Sequence, residues 1–405
     1  FSDPTFMHAL WFTALFTIVS VLTINVFAFV IAMLLTKGIK GTNFFRTVFF
    51  MPNLIGGIVL GYIWQILLNG ILGHFGRTLT YSSSYGFWGL IILMNWQQVG
   101  YMMIIYIAGI QNIPGELIEA AKMDGASDWQ LLKSVTIPMV MPSITICTFL
   151  TLTNSFKLFD QNLALTAGEP SNNSQMLALN IFETILWKNR LGRCRSGESS
   201  YLLYYSSSYR TGTEQTDQNK GGTAVMAKKV KENNEVSAVR RSKHGGVLTV
   251  FFSLLTVFYL YPIFLVLINS FKKKGFITKN AFALPDERSF TGLSNFIRGI
   301  EKTNFFQAFG YSVLITVGSV AVIILCTSMC AWYITRVHNK VNATIYMLCL
   351  FSMIVPFQMV MFTLSKLANM MHLSNPVGII LVYLGFGAGL AVFMFCGFVK
   401  VFRSR

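Results

Sequence analysis

The chain reads as an all-α membrane protein, a polytopic bundle of transmembrane helices, and three observations lead there. Of its 405 residues, 53% are hydrophobic and only 12% are charged, against roughly a quarter charged in soluble domains. Eight charge-free runs break up the sequence, each close to the ~20 residues that cross ~30 Å of hydrocarbon. In lipid such runs must be helical, because only bonds within the segment satisfy the backbone. Basic residues, finally, gather at the ends of the runs: Lys37, Lys40 and Arg46; Arg240, Arg241 and Lys243; Arg336, His338 and Lys340. The positive-inside rule marks cytoplasmic loops in this way. The same grouping removes the nucleic-acid reading of the +16 net charge.

Taken in order, the runs are Leu10–Thr36, Val48–Leu68, Phe87–Ile110, Met139–Phe156, Val247–Ile268, Phe305–Thr335, Ala343–Leu364 and Pro376–Val399. Counting from the basic loops, the first runs inward, the second outward and the third inward again. Pro52 and Pro356 fall at matching places in the two halves and are expected to kink their helices. Lys272, Lys273 and Lys274 go against the charge rule, since they follow a run heading outward.

Between the third and fourth runs lies a polar, amphipathic break, EAAKMDGASDWQLLKSVTIPMVMP from Glu119 to Pro142. Pro114 suits the first turn of a helix through Lys122, where a missing N–H costs little. Gly125 supplies the positive φ that ends that helix. A second helix is expected over Ser127–Val135, stopped by Pro138. The break resembles the EAA loop of the membrane subunits of binding-protein-dependent ABC importers. That resemblance implies the type I importer permease fold and a hairpin that docks into an ATPase subunit. In that role Glu119 pairs with a basic group on the ATPase, Ala120 and Ala121 permit close approach, and Gly125 turns the chain. Asp124 is either part of this contact or a cap of the turn, and Pro138 closes the segment.

The resemblance extends over two halves and gives the domains. Residues 1–190, with KGIKGTNFFRTVFFMPNLIGGIVLGYIWQ from Lys37 and FKLFDQNLALTAGEP from Phe156, resemble one permease subunit, its EAA loop at 114–138. Residues 226–405, with NSFK at Asn269 and SMIVPFQMVMFTLSKL from Ser352, resemble the partner subunit. The first half is expected to begin late, and the second to stop before its own EAA loop. The patterns are those of carbohydrate uptake, of the maltose, multiple-sugar and glycerol-phosphate kind. Residues 191–225 form a Ser/Tyr/Thr/Gly-rich junction with two readings. One is a flexible polar linker. The other is a frameshift joining two adjacent genes, because residues 201–212 read one nucleotide later can encode an apolar run where the family has its last helix. On that reading the first half, as written, ends outside, and two separate subunits are expected.

For the pathway, Phe156, Lys157 and Asp160 stand just beyond a spanning run, where ionisable groups either line a cavity or anchor the interface. Asn53, Asn95, Gln97 and Gln358, with Gln65 and Gln98, are candidate cavity-lining amides, though buried amides more often bond helix to helix. The six cysteines suggest no metal set, and Cys326 and Cys330 read as packing residues on one helix face. The sequence contains no GK[ST] phosphate loop, no Ser/His/Asp set and no paired carboxylates. No enzyme activity, metal or cofactor is therefore expected in this chain, the resemblance assigning ATP hydrolysis to a separate subunit. The implied partners are ABC ATPase subunits, a second permease subunit, an extracytoplasmic sugar-binding protein and the bilayer of a bacterial inner membrane. The alternative, an ion-gradient-driven secondary transporter, calls for intramembrane charges that the runs scarcely contain.

Overall fold

Small residues and prolines decide where the helices pack and where they break in the computed structural model, which describes residues 4–188, 245–337, 339–352 and 357–403. Helix α1 (Pro4–Leu35) buries Ala9, Thr13, Thr17, Ser20, Ala28 and Ala32 along one stripe. Trp11, Ile18, Leu22 and Val26 stay exposed on its outer side. Small residues let helix backbones approach, and large apolar ones face lipid.

The run Val48–Leu68 is not one helix, and it breaks beside Pro52, where a kink is expected. Helix α2 (Thr42–Phe50) passes into a 3₁₀ turn over Met51–Leu54. Ile55 and Gly56 are extended, with ψ 133° and 141°, before helix α3 (Gly57–Gly73) begins. The two arms are bent by 102°. Pro52 removes one backbone donor, and the chain leaves the helix three residues later, beside paired glycines.

Helix α4 (Ser83–Gln111) is the buried axis of this bundle, started by Ser82, whose side chain accepts the Ser84 N–H at 3.4 Å. A Cβ on Gly100 would stand 1.8 Å from the Phe49 carbonyl oxygen. The backbones of α2 and α4 therefore touch there, and only glycine fits.

Contacts along α4 fix the direction of its neighbours. Phe12 and Phe16 meet Phe87, and Phe29 meets Tyr106, all edge to face; α1 and α4 run the same way. Phe49 lies at Gly100, Trp64 at Trp96 and Leu68 at Gly89, so α2 and α3 run opposite. Helix α7 (Ile137–Phe156) also runs opposite, with Ser143 at Gly109 and Asn154 at Gln98. The basic loop after α1 and the polar break after α4 thus share one end of the bundle, as the charge pattern requires.

The polar break folds as helix α5 (Gly115–Met123), a turn at Gly125, and the short helix α6 (Asp128–Leu131). Pro138 does not stop the second helix as expected. A π turn over Leu132–Thr136 leads straight into α7, giving one helical stretch over Asp128–Phe156. Pro138 sits at the start of α7, where the wider turn absorbs its missing N–H.

After α7 come the six-residue helix α8 (Asp160–Leu165) and helix α9 (Leu177–Lys188). Helix α9 starts beside α1, where Thr13 Oγ1 accepts the Leu177 N–H at 2.8 Å. It then passes Phe159 at Phe182, ring centroids 4.9 Å apart. The first half thus already turns back at Leu177, earlier than its sequence suggests, because Asn180 and Glu183 interrupt the apolar run. Residues 191–225 and both readings of them lie outside the described residues.

Two compact units divide the chain. The first holds the described residues up to Glu183 together with Gly245–Phe290. Its member from the second half is helix α10 (Gly245–Ser270), opposite in direction to α4, with Phe252 on Phe45 and Phe49 and Tyr259 on Trp96. Tyr259 Oη donates to the Trp96 carbonyl at 2.7 Å, and Trp96 Nε1 donates to the Tyr259 carbonyl at 3.1 Å. The loop beyond it, with helix α11 (Lys274–Lys279), accounts for one lysine that defied the charge rule. Lys272 is buried, its Nζ donating to the carbonyls of Asn280 at 3.0 Å and of Ala283. Burial lowers its pKa, opposed by the nearby Asp286 carboxylate.

The second unit holds helices α12 (Ser294–Lys302), α13 (Phe305–Arg336), α14 (Lys340–Ser352), α15 (Phe357–Met370) and α16 (Pro376–Arg403). Helices α13 and α16 lock through Gly318 against Ile380 and Gly387 against Ile323, where an added Cβ would come within 2.6 Å of each Cδ1. The run Ala343–Leu364 is divided between α14 and α15, and residues 353–356, with Pro356, lie outside the described residues. Among the described residues, six helices are long and apolar enough to span a membrane, and the bent α2–α3 pair makes up to seven. The protein is a multi-pass membrane protein.

Candidate functional site

Two places in the first unit hold the residues singled out above. The first is the hairpin α5–α6. Gly125 has φ 80° and nothing within 4 Å of where a Cβ would stand. Its glycine is therefore a requirement of backbone conformation and not of space. Ser127 caps α6 in a reciprocal box, its Oγ accepting the Gln130 N–H while Gln130 Oε1 accepts the Ser127 N–H at 2.8 Å. That box rigidifies the turn without help from the bundle. Glu119, Ala120 and Asp124 are exposed and Ala121 is half-buried; the end of α5 is closed by the Asp124 N–H on the Ala120 carbonyl and the Gly125 N–H on the Lys122 carbonyl. Leu117, Met123 and Trp129 stand out beside them, Met123 88% exposed and Trp129 69%. Pro138 lies apart from this cluster, on the stem.

The second place is a polar layer in mid-bundle. Helix α7 ends at Phe156 opposite Gln97 and Gln98, the middle of the 29-residue α4. The chain beyond it is therefore at membrane depth, and irregular backbone survives there only when protein or a water-filled cavity covers it. Gln161 Nε2 donates to Gln97 Oε1 at 2.8 Å, tying α8 to α4. Asn154 Nδ2 donates to Gln98 Oε1 at 3.4 Å, tying α7 to α4. Gln65 Nε2 donates to the Leu165 carbonyl at 3.1 Å. The glycines of the Gly57–Gly61 pair accept α8 closely, since a Cβ on Gly61 would lie 2.4 Å from that of Ala164, a small-residue contact of the GxxxG type. Asn162 satisfies the irregular backbone that follows, its Nδ2 donating to the Ser174 carbonyl at 2.9 Å and its Oδ1 accepting the Met176 N–H at 2.9 Å.

Of the expected pathway residues, Gln97, Phe156, Lys157 and Asp160 come together here. Phe156 is buried, Lys157 and Asp160 are half-buried, and Asp160 packs against Gly57. Asn53 is half-buried in the 3₁₀ turn. Asn95 points elsewhere, donating to Thr23 Oγ1 of α1 at 3.0 Å. Gln358 belongs to α15, its side chain outside the described ones. Sequence reasoning missed Asn25, Tyr106 and Thr151, which join α1, α4 and α7: Asn25 Nδ2 donates to Thr151 Oγ1 at 3.0 Å, and Tyr106 Oη donates to Asn25 Oδ1 at 2.7 Å. It also missed Gln161 and Asn162. The signal was present for Asn25, an amide inside an apolar run as Asn95 is, whereas Gln161 and Asn162 lie beyond the end of their run.

An exposed two-helix projection at the basic end of a membrane bundle, with a polar layer at its centre, defines a transport component. The family described as binding-protein-dependent transport system inner membrane component matches residues 5–190. The chain belongs to this family. It is 47% identical over 191 residues to the probable starch degradation products transport system permease protein AmyD of Thermoanaerobacterium thermosulfurigenes, over 45% of this chain and 65% of that one. It is 32% identical over 200 residues to the multiple sugar-binding transport system permease protein MsmF of Streptococcus mutans, over 47% of this chain and 69% of that one. A third relative, AmyC of the first organism and also a probable starch degradation products permease, is 33% identical over 154 residues, 38% of this chain and 55% of that one. The chain spans about two thirds of the length of the first two.

Proposed function

We propose that this chain is the membrane-spanning permease component of an ATP-driven importer, forming part of the pathway for a sugar or oligosaccharide. An extracytoplasmic binding protein delivers the solute, and ABC ATPase subunits drive the cycle through the hairpin, docked on the cytoplasmic side. The observation that carries this reading is the hairpin itself: internally capped, turned by Gly125 at φ 80°, and presenting Leu117, Met123 and Trp129 to solvent. A stiff projection with exposed apolar side chains suits transmission of rigid-body motion from a partner. Glu119, Ala120, Ala121, Asp124 and Gly125 form its contact surface in this reading, and Pro138 belongs to the stem. The names of the relatives support a carbohydrate as solute. Chemistry of ATP hydrolysis stays with the ATPase, and the second half of the chain, or its counterpart as a separate subunit, supplies the partner permease.

The polar layer is the proposed pathway wall. Gln97, Phe156, Lys157 and Asp160 combine an aromatic face with hydrogen-bonding groups, the pairing that fits a sugar's C–H faces and hydroxyl edges. Ser155 Oγ is buried without a hydrogen-bond partner among the described residues, which leaves hydrogen-bonding capacity at this depth. The test is uptake and substrate-stimulated ATP hydrolysis in the assembled transporter. Gly125→Val forces a β-branched residue into the left-handed region at about 1–2 kcal/mol, and should abolish both while membrane insertion is kept. Normal uptake and stimulation in that variant would sink the coupling role.

A further inference from the structure

We infer that α12 is a membrane-surface helix that lies in the lipid–water interface beside the start of α13. Its nine residues make about 13 Å of helix, far too short to cross a bilayer. Leu293 at its start, then Phe296, Ile297 and Ile300, recur at a helical spacing that places them on one side, and they are 62%, 42%, 56% and 40% exposed. Arg298, Glu301 and Lys302 occupy the other side and are exposed as well. An apolar stripe backed by charges is the pattern of a helix sunk a few ångströms below the headgroups.

What covers the stripe follows from where the chain goes next. Asn304, in the left-handed conformation at φ 46°, ends α12 and redirects the chain. At Phe305 the 32-residue, strongly apolar span α13 begins. Phe305, Phe306 and Phe309 are exposed at the mouth of that span and follow Ile300 after four polar residues, Glu301 to Asn304. Ile300 is thus five residues from a side chain that must enter hydrocarbon, so lipid is the occupant within reach. Lys302 and Arg298 on the opposite side stay wet or meet phosphate. The helix would fix the height of α13 in the bilayer, which the apolar length of a span alone does not do.

The experiment uses the full chain reconstituted in vesicles of phosphatidylcholine and phosphatidylglycerol carrying radiolabelled phosphate. Ile297→p-benzoylphenylalanine and Ile300→p-benzoylphenylalanine are photolysed and compared with the same probe at Arg298 and Lys302. Several-fold more labelled lipid on the first pair supports the proposal. Equal lipid yield at all four positions, or capture of protein by the first pair, overturns it. An Ile297→Trp variant keeps the test open if the bulkier probe is not tolerated. Lipids brominated near the headgroup should quench its added fluorescence more than lipids brominated at the chain end; equal quenching, or none, overturns the proposal.

Discussion

Gly125 and Gly100 belong to the same unit and are glycine for opposite reasons. Around Gly125 there is open space, and only the φ of 80° excludes other residues; at Gly100 a Cβ would stand 1.8 Å from the Phe49 carbonyl oxygen. The hairpin owes its shape to backbone conformation and its own capping box. The bundle owes its shape to contact between helices and to hydrogen bonds such as Tyr106 to Asn25. Substitutions in the bundle should therefore be read out as stability. Substitutions in the hairpin should be read out as function, with the fold unmoved.

The largest effect is expected at the helix crossing. Gly100→Val drives a side chain into the α2 backbone, which cannot yield as a flexible side chain would. Loss of about 3 kcal/mol or more is expected, seen as loss of a monodisperse protein in detergent or a collapsed unfolding midpoint. A normal midpoint would break the contrast with Gly125. Asn25→Leu comes next. It keeps the volume but strips Tyr106 and Thr151 of their shared partner, at about 1–2 kcal/mol, measurable as a lower midpoint on denaturant unfolding in mixed micelles.

Ser127→Ala should cost about 1 kcal/mol, the worth of a helix cap, confined to the hairpin. Amide hydrogen exchange should quicken at Gln130, while the global midpoint stays where it was. A drop in that midpoint would mean that the hairpin is part of the cooperative unit after all. Glu119→Lys, on an exposed position, should leave stability unchanged and still stop uptake by opposing charge at the ATPase contact. Unchanged uptake would remove Glu119 from that contact.

How much of this was legible depends on the range of the signal. Short-range chemistry was plain: Pro114 ahead of α5, Gly125 at the turn, a second helix from Ser127, and apolar runs of spanning length. What failed involved partners distant in sequence. In Val48–Leu68 the proline at 52 signals the bend, but nothing local reveals that Gly57 and Gly61 serve a contact with α8. Pro138 reads as a stop because a proline cannot donate to a normal helical turn; the π turn over Leu132–Thr136 widens the ring and lets the helix continue. The depth of Lys157 and Asp160 was also hidden, since only the pairing of Asn154 with Gln98 shows that α7 ends in mid-bundle. Lys272 was misleading as a charge because its carbonyl partners come 8 and 11 residues later.

The bend between α2 and α3 has a consequence for how the protein is made. Its arms of 9 and 17 residues are about 13 and 25 Å long, and neither alone matches ~30 Å of hydrocarbon. The opened backbone between them carries carbonyl and amide groups that lipid does not satisfy. A ribosome that has delivered the chain as far as Gly73 has therefore produced a segment with no settled place in the bilayer. The segment gains protein cover only when α4 brings Gly100 against Phe49. The placing of α2 and α3 therefore depends on segments that come later in the chain, α4 at Gly100 and α8 at Gly57 and Gly61.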